Sequence, residues 1–375
     1  MDIEVSAVAS RKDMSEFIEV PYRILRGDPA FVPPLRLERR ETLSRRNPFF
    51  EHGEATYFLA RRNGRLVGRV SAHRNYLHEQ RYQDGVGFFG FFDCEDDEVA
   101  ARALLDAACA HLRAAGLRAI RGPFNFSIND ECGVLIEGFD TPPYLMMTHN
   151  PPYYDALIRA SGFEKAKDLY AWHYDPNRPV PEAAAAIAEA VRQHPGLVIR
   201  TVNPRRLEED LRIVIEIFNE AWSRNWGFVP LTQSEIRHAT SQMKPFLEPE
   251  LALIAEVDHT PAAISLALPN ANELLAGLDG RLAPFGWLKL LWRLRFRKPR
   301  SARLMLLGVR PQYRGSALGG LSVLLYVEEH LRARRLGLNA GELSWTLEDN
   351  QKINAGIELM GGRVYKRYRI YERAL

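Results

Sequence analysis

The chain of 375 residues is long enough for two or three domains. Hydrophobic residues make up 46% and charged residues 26%, as expected of globular cores, and a net charge of +3 is too small to indicate nucleic acid as a bulk partner. Residues 1–19 carry charges throughout, no run of about 18 apolar residues exists, and Cys94, Cys109 and Cys132 lack metal-ligand spacing, so we expect a cytoplasmic protein without signal peptide, spanning helix or metal.

Apolar periodicity in the first half alternates between strand and helix. Residues 57–61 and 66–72 are predicted to form a hairpin around the turn Arg62-Asn63-Gly64-Arg65. The next predicted elements are a strand at 85–92, a helix at 98–115 that ends at Gly116, a strand at 119–127, a short helix at 153–161 and a strand at 169–174.

The second half repeats this order after a proline-bearing, Ala-rich stretch. We predict a strand at 197–201, a helix at 207–224, a hairpin of 251–257 and 262–268, a strand at 303–309, a helix at 318–335, a strand at 340–345, a helix at 352–360 and a strand at 364–371. The predicted fold is therefore α/β, with an N-terminal unit at 1–176, a linker with a surface helix at 177–196 and a C-terminal unit at 197–375.

The segment from Leu306 to Gly320 carries the strongest chemical signal in the chain. An apolar strand runs into a loop with Gly315 and then into a predicted helix start at Gly319 and Gly320. Glycine allows close approach of a ligand, and unpaired N–H groups at a helix start suit a pyrophosphate. Arg314 is expected to add a charge-assisted bond to the same group.

Gln312-x-x-Gly315-x-Ala317 resembles the Q/R-x-x-G-x-G/A signature of the GNAT acyltransferase superfamily. Downstream, Asn350, Ile353, Ile357 and Gly361 follow the spacing of that family's second motif. The resemblance implies two GNAT-like units in tandem, each a mixed twisted sheet flanked by helices, and acyl-coenzyme A as co-substrate. It implies donor-site roles for Leu307, Val309, Gln312, Arg314, Gly315, Ser316, Ala317, Gly319, Gly320 and Asn350.

In this superfamily the fourth and fifth strands of the sheet separate, and the pantetheine arm lies between them. Here these strands are 303–309 and 340–345, and backbone N–H groups from Leu307 to Val309 are expected to stabilise the oxyanion. Glu342 is the candidate base for the acceptor amine, with a solvated strand residue as the alternative. Ile357 stands where the family usually has a tyrosine, so Tyr365 and Tyr368 are the candidate general acids.

The equivalent stretch of the first half, residues 91–98, is acidic and lacks the glycine signature. Acidic groups repel a pyrophosphate, so we predict that the N-terminal unit is non-catalytic. In the second half the resemblance assigns acceptor contacts to 218–230 and 268–272. These segments are dense in tryptophan and amide side chains, and the candidate acceptor residues are Asn219, Trp222, Trp226, Asn270 and Asn272.

Residues 287–300 form an insert with six basic residues and no acidic one. On a helix, Lys289, Arg293, Arg297 and Arg300 share one side, with the large apolar residues mostly elsewhere. This pattern is typical of a helix on an anionic membrane surface, which is consistent with a peripheral location on the inner membrane face. Packing inside the protein and a patch for nucleic acid or coenzyme phosphates remain alternatives.

The sequence segments at 28–35, 47–50, 122–125 and 342–345 resemble segments that recur in a GNAT-like group of bacterial proteins. Bacterial ceramide synthases look related to this group. The leading hypothesis is an N-acyltransferase that joins an acyl group to an amine, with a long-chain or sphingoid base as acceptor. Two alternatives stay open: a tRNA-dependent aminoacyl transferase of tandem-GNAT type, and a non-catalytic sensor or scaffold of the same fold.

Overall fold

The computed structural model describes residues 2–315 and 317–375, and within them the chain alternates between strands and helices. The strands are β1 Ile3–Ala7, β2 Gly53–Arg62, β3 Arg65–Asn75, β4 Val86–Cys94, β5 Ala119–Gly122, β6 Val134–Glu137, β7 Glu164–Tyr174, β8 Leu197–Thr201, β9 Ala252–Val257, β10 Thr260–Pro269, β11 Ser301–Val309, β12 Ala340–Leu347 and β13 Arg363–Ala374. The helices are α1 Arg11–Ile24, α2 Arg36–Thr42, α3 Tyr76–Tyr82, α4 Glu98–Ala114, α5 Tyr154–Ala160, α6 Glu182–Arg192, α7 Leu207–Trp222, α8 Gln233–Met243, α9 Asn272–Leu275, α10 Gly286–Phe296, α11 Leu321–Arg335 and α12 Gln351–Leu359.

Two-residue turns with positive φ create the two long hairpins. Asn63 and Gly64, at φ of 50° and 75°, join β2 to β3. Asp258 and His259, at 49° and 62°, join β9 to β10. Positive φ at both central positions matches the twist of the flanking strands, which is why the Asn-Gly pair was a usable sequence signal.

The first compact unit contains Met1–Leu169, Leu275–Leu290 and Lys366–Leu375. Its strand order is β1-β2-β3-β4-β5-β13, with β6 also paired to β13. Helix α4 covers the sheet with Leu104, Leu105, Ala108 and Leu112, which are all buried. The apolar face of this helix therefore forms the centre of the unit's core.

The second unit contains Tyr170–Leu274 and Leu291–Tyr365, and its strand order is β7-β12-β11-β10-β9-β8. Helices α6 and α11 pack on one face of the sheet, where Leu307 and Val309 are buried. Helix α7 packs on the other face through Ile217 and Phe218. The sheet of this unit is therefore covered on both faces, and any site on its strands must lie where strands separate.

The two units differ from the predicted halves in their boundaries. Most of the last strand belongs to unit 1, where Tyr371 pairs with Gly122 on β5, and residues 275–290 also belong to unit 1. The stretch predicted as a linker contains α6, whose Ala184, Ala188 and Val191 are buried in the core of unit 2. Strand partners are set by long-range hydrogen bonds, which consecutive sequence patterns do not reveal.

Candidate active site

Strands β11 and β12 form a fork. Their parallel pairing covers residues 301–304 and 340–343. Beyond it, β11 continues to Val309 and β12 to Leu347. Residues 305–309 of β11 therefore lie outside this pairing, and the predicted separation of the two strands begins after Leu304 and Leu343.

A β-bulge coincides with the start of the fork. The pairing between β10 and β11 passes from Leu266–Leu306 to Ala267–Leu304, so Met305 is an extra residue on β11. A bulge bends its strand and changes which face the following side chains point to. Here it lets β11 turn away from β12 while staying paired to β10.

The open edge of β11 presents backbone donors. The N–H of Arg310 donates to the carbonyl of Ala262 on the β10 side, at 2.9 Å. Because N–H directions alternate along a strand, the N–H groups of Val309 and Leu307 point to the other edge, into the fork. These are the groups that the resemblance assigned to the thioester.

The loop after β11, which the donor signature predicts to bind the pyrophosphate, is exposed. A Cβ at Gly315 would meet no atom within 4 Å. Gln312, Ala317 and Gly319 are also exposed, and Ser316 lies outside the described residues. Helix α11 begins at Leu321 rather than at the predicted 318, because residues 317–320 form a turn.

Two residues of this predicted pyrophosphate-binding loop contact other parts of the protein. Arg314 is exposed, but its Nε and Nη2 donate to the carbonyls of Val309 and Ala221, both at 2.8 Å. Burial, followed by the neighbouring charge of Arg224, lowers the pKa of Arg314. Gly320 packs so close to α6 that a Cβ would lie 2.5 Å from Cγ2 of Ile187.

Glu342 is the centre of a buried polar group on β12. Only 1% of its surface is exposed. Its carboxylate accepts hydrogen bonds from the hydroxyls of Ser344 and Tyr365. Arg303, opposite on β11, donates from Nε to the Ser344 hydroxyl at 2.8 Å and lies 3.8 Å from the Glu342 carboxylate. Glu342 is therefore not the solvated strand residue of the alternative interpretation.

The structure separates the two candidate tyrosines. Tyr365 belongs to unit 2 and contacts Glu342. Tyr368 is fully buried in unit 1, and three residues along a strand reverse the direction of the side chain. Ile357 is buried in the core of unit 2, and the Asn350 side chain accepts from the N–H of Ile353 at the start of α12. Only Tyr365 therefore joins the candidate proton-transfer group.

Trp222 lies against the fork strand. Its indole ring occupies the space beside Gly308, where a Cβ would lie 2.3 Å from a ring atom. The Phe218 ring supports the indole at a centroid distance of 4.8 Å. The half-buried Trp226 follows in the next loop. The indole of Trp222 thus borders β11 on the face opposite to α11.

The predicted amide contacts of the acceptor have other partners. Asn219 donates to and accepts from the backbone of Leu231, at 3.4 and 3.1 Å, which fixes the loop after α7. Asn270 bonds Ser301 and the N–H of Asn272 at the beginning of β11. Ser301 and Val309 are separated by roughly 26 Å of strand, so the structure does not bring Asn270 and Asn272 to the open end of the fork.

Unit 1 has a similar pair of strands, but its own chain fills the space between them. β4 and β5 pair in parallel from Val86 to Phe88. The chain then stays against β4, because the N–H of Phe124 donates to Phe89 at 2.8 Å. The carbonyl oxygen of Phe124 would lie 1.7 Å from a Cβ on Gly90. The chain of unit 1 therefore itself occupies the edge of β4 beyond Phe88.

The acidic stretch of unit 1 forms ion pairs and a helix cap. Asp93 bonds the buried Arg69 at 2.7 Å, and Asp97 accepts from the first N–H groups of α4. Glu95 pairs with Arg65. These acids stabilise the unit locally, and their negative charge disfavours a phosphate.

Sequence reasoning missed Arg303 and Ser344. Both residues stand inside apolar strands, which is unusual for an arginine that is only 4% exposed. Arg303 faces Glu342 directly in the register of β11 and β12. The sequence did contain a signal for this pair: one of two apolar strands that are predicted to be neighbours contains an arginine, and the other contains a glutamate.

Two curated relatives align with almost the whole chain. Protein YghO of Escherichia coli (strain K12) is 41% identical over 375 residues, which cover 99% of this chain and 95% of the relative. The bacterial ceramide synthase of Caulobacter vibrioides (strain NA1000 / CB15N) is 40% identical over 378 residues, which cover 100% of this chain and 98% of the relative. No family model matches the chain.

Solved structures give the fold. A tandem GNAT protein from the clavulanic acid biosynthesis pathway superposes with a TM-score of 0.58 at 16% identity, over 100% of this chain and 98% of the other. A GCN5-related N-acetyltransferase from Sphaerobacter thermophilus gives a TM-score of 0.53 at 14% identity, over 99% and 95%. The predicted tandem GNAT fold is confirmed.

Proposed function

The chain belongs to the family that contains the bacterial ceramide synthase of Caulobacter vibrioides and protein YghO of Escherichia coli, and from this we propose that it is an acyl-coenzyme A-dependent N-acyltransferase. The fork between β11 and β12 carries the proposal. A thioester carbonyl that becomes an oxyanion needs backbone donors, and the N–H groups of Leu307 and Val309 point to the edge of β11 beyond its pairing with β12. The corresponding space in unit 1 is filled, so we assign catalysis to unit 2 alone.

The exposed turn at Gly315 fits the diphosphate of the donor. A Cβ on Gly315 would meet no atom within 4 Å, and the exposed residues Ala317 and Gly319, which precede α11, are small. The start of α11 adds the positive end of the helix dipole. Arg314 contributes by holding this turn against Val309 and Ala221 rather than by donating all of its N–H groups to phosphate.

We assign proton transfer to Glu342 and Tyr365. The amine forms a C–N bond with the thioester carbon, and Glu342 accepts the proton that the nitrogen loses. The N–H groups of Leu307 and Val309 stabilise the oxyanion. When the C–S bond breaks, Tyr365 protonates the departing thiolate and recovers its proton from Glu342, so the pair ends the cycle unchanged. Arg303 compensates the carboxylate charge in the buried site.

The acceptor is proposed to be a long-chain amine, reached at a membrane surface. Helix α10 has no buried residue, in contrast to the alternative of packing inside the protein. Its exposed apolar side chains and neighbours are Phe285, Trp287, Leu288, Leu291, Trp292, Leu294 and Phe296. Six cations and no anion occur between 287 and 300. Exposed aromatics with cations suit the headgroup region of an anionic bilayer.

Substitution of Gly315 tests the donor site. Gly315→Glu places a carboxylate where the diphosphate is proposed to bind, and we expect loss of coenzyme A binding in calorimetry together with loss of thiol release from acyl-coenzyme A. Gly315→Ala is the matched control, because a methyl group meets no atom there. Binding that is unchanged in the Glu variant would remove the donor assignment.

A further inference from the structure

A cavity of about 60 Å³ lies in unit 2 on the α11 face of the sheet. A single water needs only about 10–15 Å³, so the space accommodates several heavy atoms. Its walls are mostly apolar and include Ala302 and Leu304 of β11, Leu343 of β12 and Ala333 of α11. Leu304 and Leu343 are the last paired residues before the fork. The cavity therefore begins where the two strands separate.

Two buried polar side chains of α11 line this apolar space. Glu329 is 8% exposed, and its Oε1 accepts from the hydroxyl of Ser265 at 2.6 Å. His330 is 2% exposed, and its Nδ1 shares a hydrogen bond with the Tyr174 hydroxyl at 2.6 Å. Within residues 2–315 and 317–375, Oε2 of Glu329 and Nε2 of His330 have no hydrogen-bond partner.

Such atoms are costly when they are buried without a partner, so a ligand group that bonds them is stabilised in this cavity. Burial raises the pKa of Glu329 to about 8 and lowers the pKa of His330, so both side chains are mainly neutral near pH 7. A protonated carboxyl donates, and one nitrogen of a neutral imidazole accepts. A hydroxyl group does both, so a hydroxyl group satisfies either of the two atoms.

We propose that this cavity binds the acyl chain of the donor and that Glu329 and His330 recognise a hydroxyl group on that chain. The proposal rests on the proposed function, because it requires the thioester to lie in the fork. Between Tyr326 and Ala333, which both line the cavity, α11 rises roughly 10 Å. The cavity is thus large enough for carbon atoms beyond those of an acetyl group.

Calorimetry with free coenzyme A, octanoyl-coenzyme A and a series of its monohydroxy isomers tests the inference. We expect at least one hydroxy isomer to bind about tenfold more tightly than the plain chain, the equivalent of about one hydrogen bond. Glu329→Met should remove this preference. Glu328→Met is the matched control on the same helix, because Glu328 bonds Arg192 and Arg332 and does not line the cavity.

Ala333→Leu fills the cavity from the helix side. It should weaken the binding of every acyl-coenzyme A and leave free coenzyme A unchanged. Equal affinity for plain and hydroxylated chains, or a preference that survives Glu329→Met, would overturn the inference. If the wild-type protein does not bind free coenzyme A, the donor site itself fails. Binding of 1-octanol by the wild-type protein that is lost in Ala333→Leu and Glu329→Met would then support hydroxyl recognition. If 1-octanol does not bind to the wild-type protein, hydroxyl recognition is wrong.

Discussion

At the scale of single residues, the proposed chemistry depends on Glu342. Replacing it by glutamine keeps the shape of the side chain but removes the proton acceptor, so we expect turnover to fall by about a hundredfold or more. Coenzyme A affinity should stay within error, because Glu342 does not line the loop at Gly315. Thiol release and calorimetry measure the two effects. An active Glu342→Gln variant would contradict the assignment of the base.

Tyr365→Phe tests the other half of the pair. It removes the hydroxyl that bonds Glu342, and we expect a loss of turnover without loss of donor binding. Tyr368→Phe is the matched control, since Tyr368 is buried in unit 1. If both variants lose equal activity while remaining folded, proton donation by Tyr365 is wrong.

Glu329 should make stability depend on pH. Its folded-state pKa of about 8 lies above the ordinary value of 4.5; burial is the main cause, Glu328 adds to it, and Ser265 and Arg332 oppose it. Because the folded pKa is raised, the favourable contribution is complete below pH 4.5 and is lost as the pH rises through 8. Stability relative to Glu329→Gln should fall by up to about 1.4 kcal/mol per pH unit in this window. Urea unfolding at several pH values measures it, and a constant difference would contradict the buried neutral carboxyl.

Sequence patterns predicted some residues of the site and not others, for physical reasons. Gly315 and Glu342 are site candidates because a glycine loop after a strand and an acid in an apolar strand are local signals. The bond of Arg314 to Ala221 and the contact of Gly320 with Ile187 depend on α7 and α6, which are distant in sequence. Asn219 looked like an acceptor contact, although its amide fixes the loop at Leu231.

At the scale of elements, we predict that the exposed helix α10 binds the membrane. We expect the protein to co-sediment with vesicles that contain anionic lipid and to do so much less with neutral vesicles. Leu291→Ser together with Trp292→Ser should abolish this binding, since both side chains are about half exposed. Val198→Ser is the control, because Val198 is equally exposed on β8. Unchanged sedimentation of the double variant would exclude α10 as the membrane contact.

Most strands and helices were predictable, because alternation and 3.6-residue periodicity are local properties. The hairpin turn at Asn63 and Gly64 is an example. The start of α11 was predicted three residues early, since glycines at 319 and 320 permit a turn as easily as a helix. The bulge at Met305 carries no local signal, because it arises from pairing with β10.

At the scale of the whole molecule, the two units share a fold and differ in the space between their parallel strands. Phe124 and Asn125 bond to β4 in unit 1, whereas β11 and β12 separate in unit 2. We therefore expect a single coenzyme A per chain. Calorimetric stoichiometry at saturating ligand checks this, and two equivalent sites would contradict the filled gap in unit 1.

The duplicated order of elements was visible in the sequence, but the assignment of β13 to unit 1 was not. Pairing of Tyr371 with Gly122 joins residues that are far apart along the chain. Residues 366–374 have the same local strand pattern whichever unit they pair with. Sequence periodicity therefore identifies two units without their boundaries.

Residue-resolved hydrogen exchange in the presence of acyl-coenzyme A tests the open fork most directly. The amides of Leu307 and Val309 should exchange more slowly when the donor binds, while Leu304, already inside the paired region, and Phe89 to Phe91 of unit 1 should not change. Protection in unit 1 without protection at Leu307 and Val309 would contradict the account.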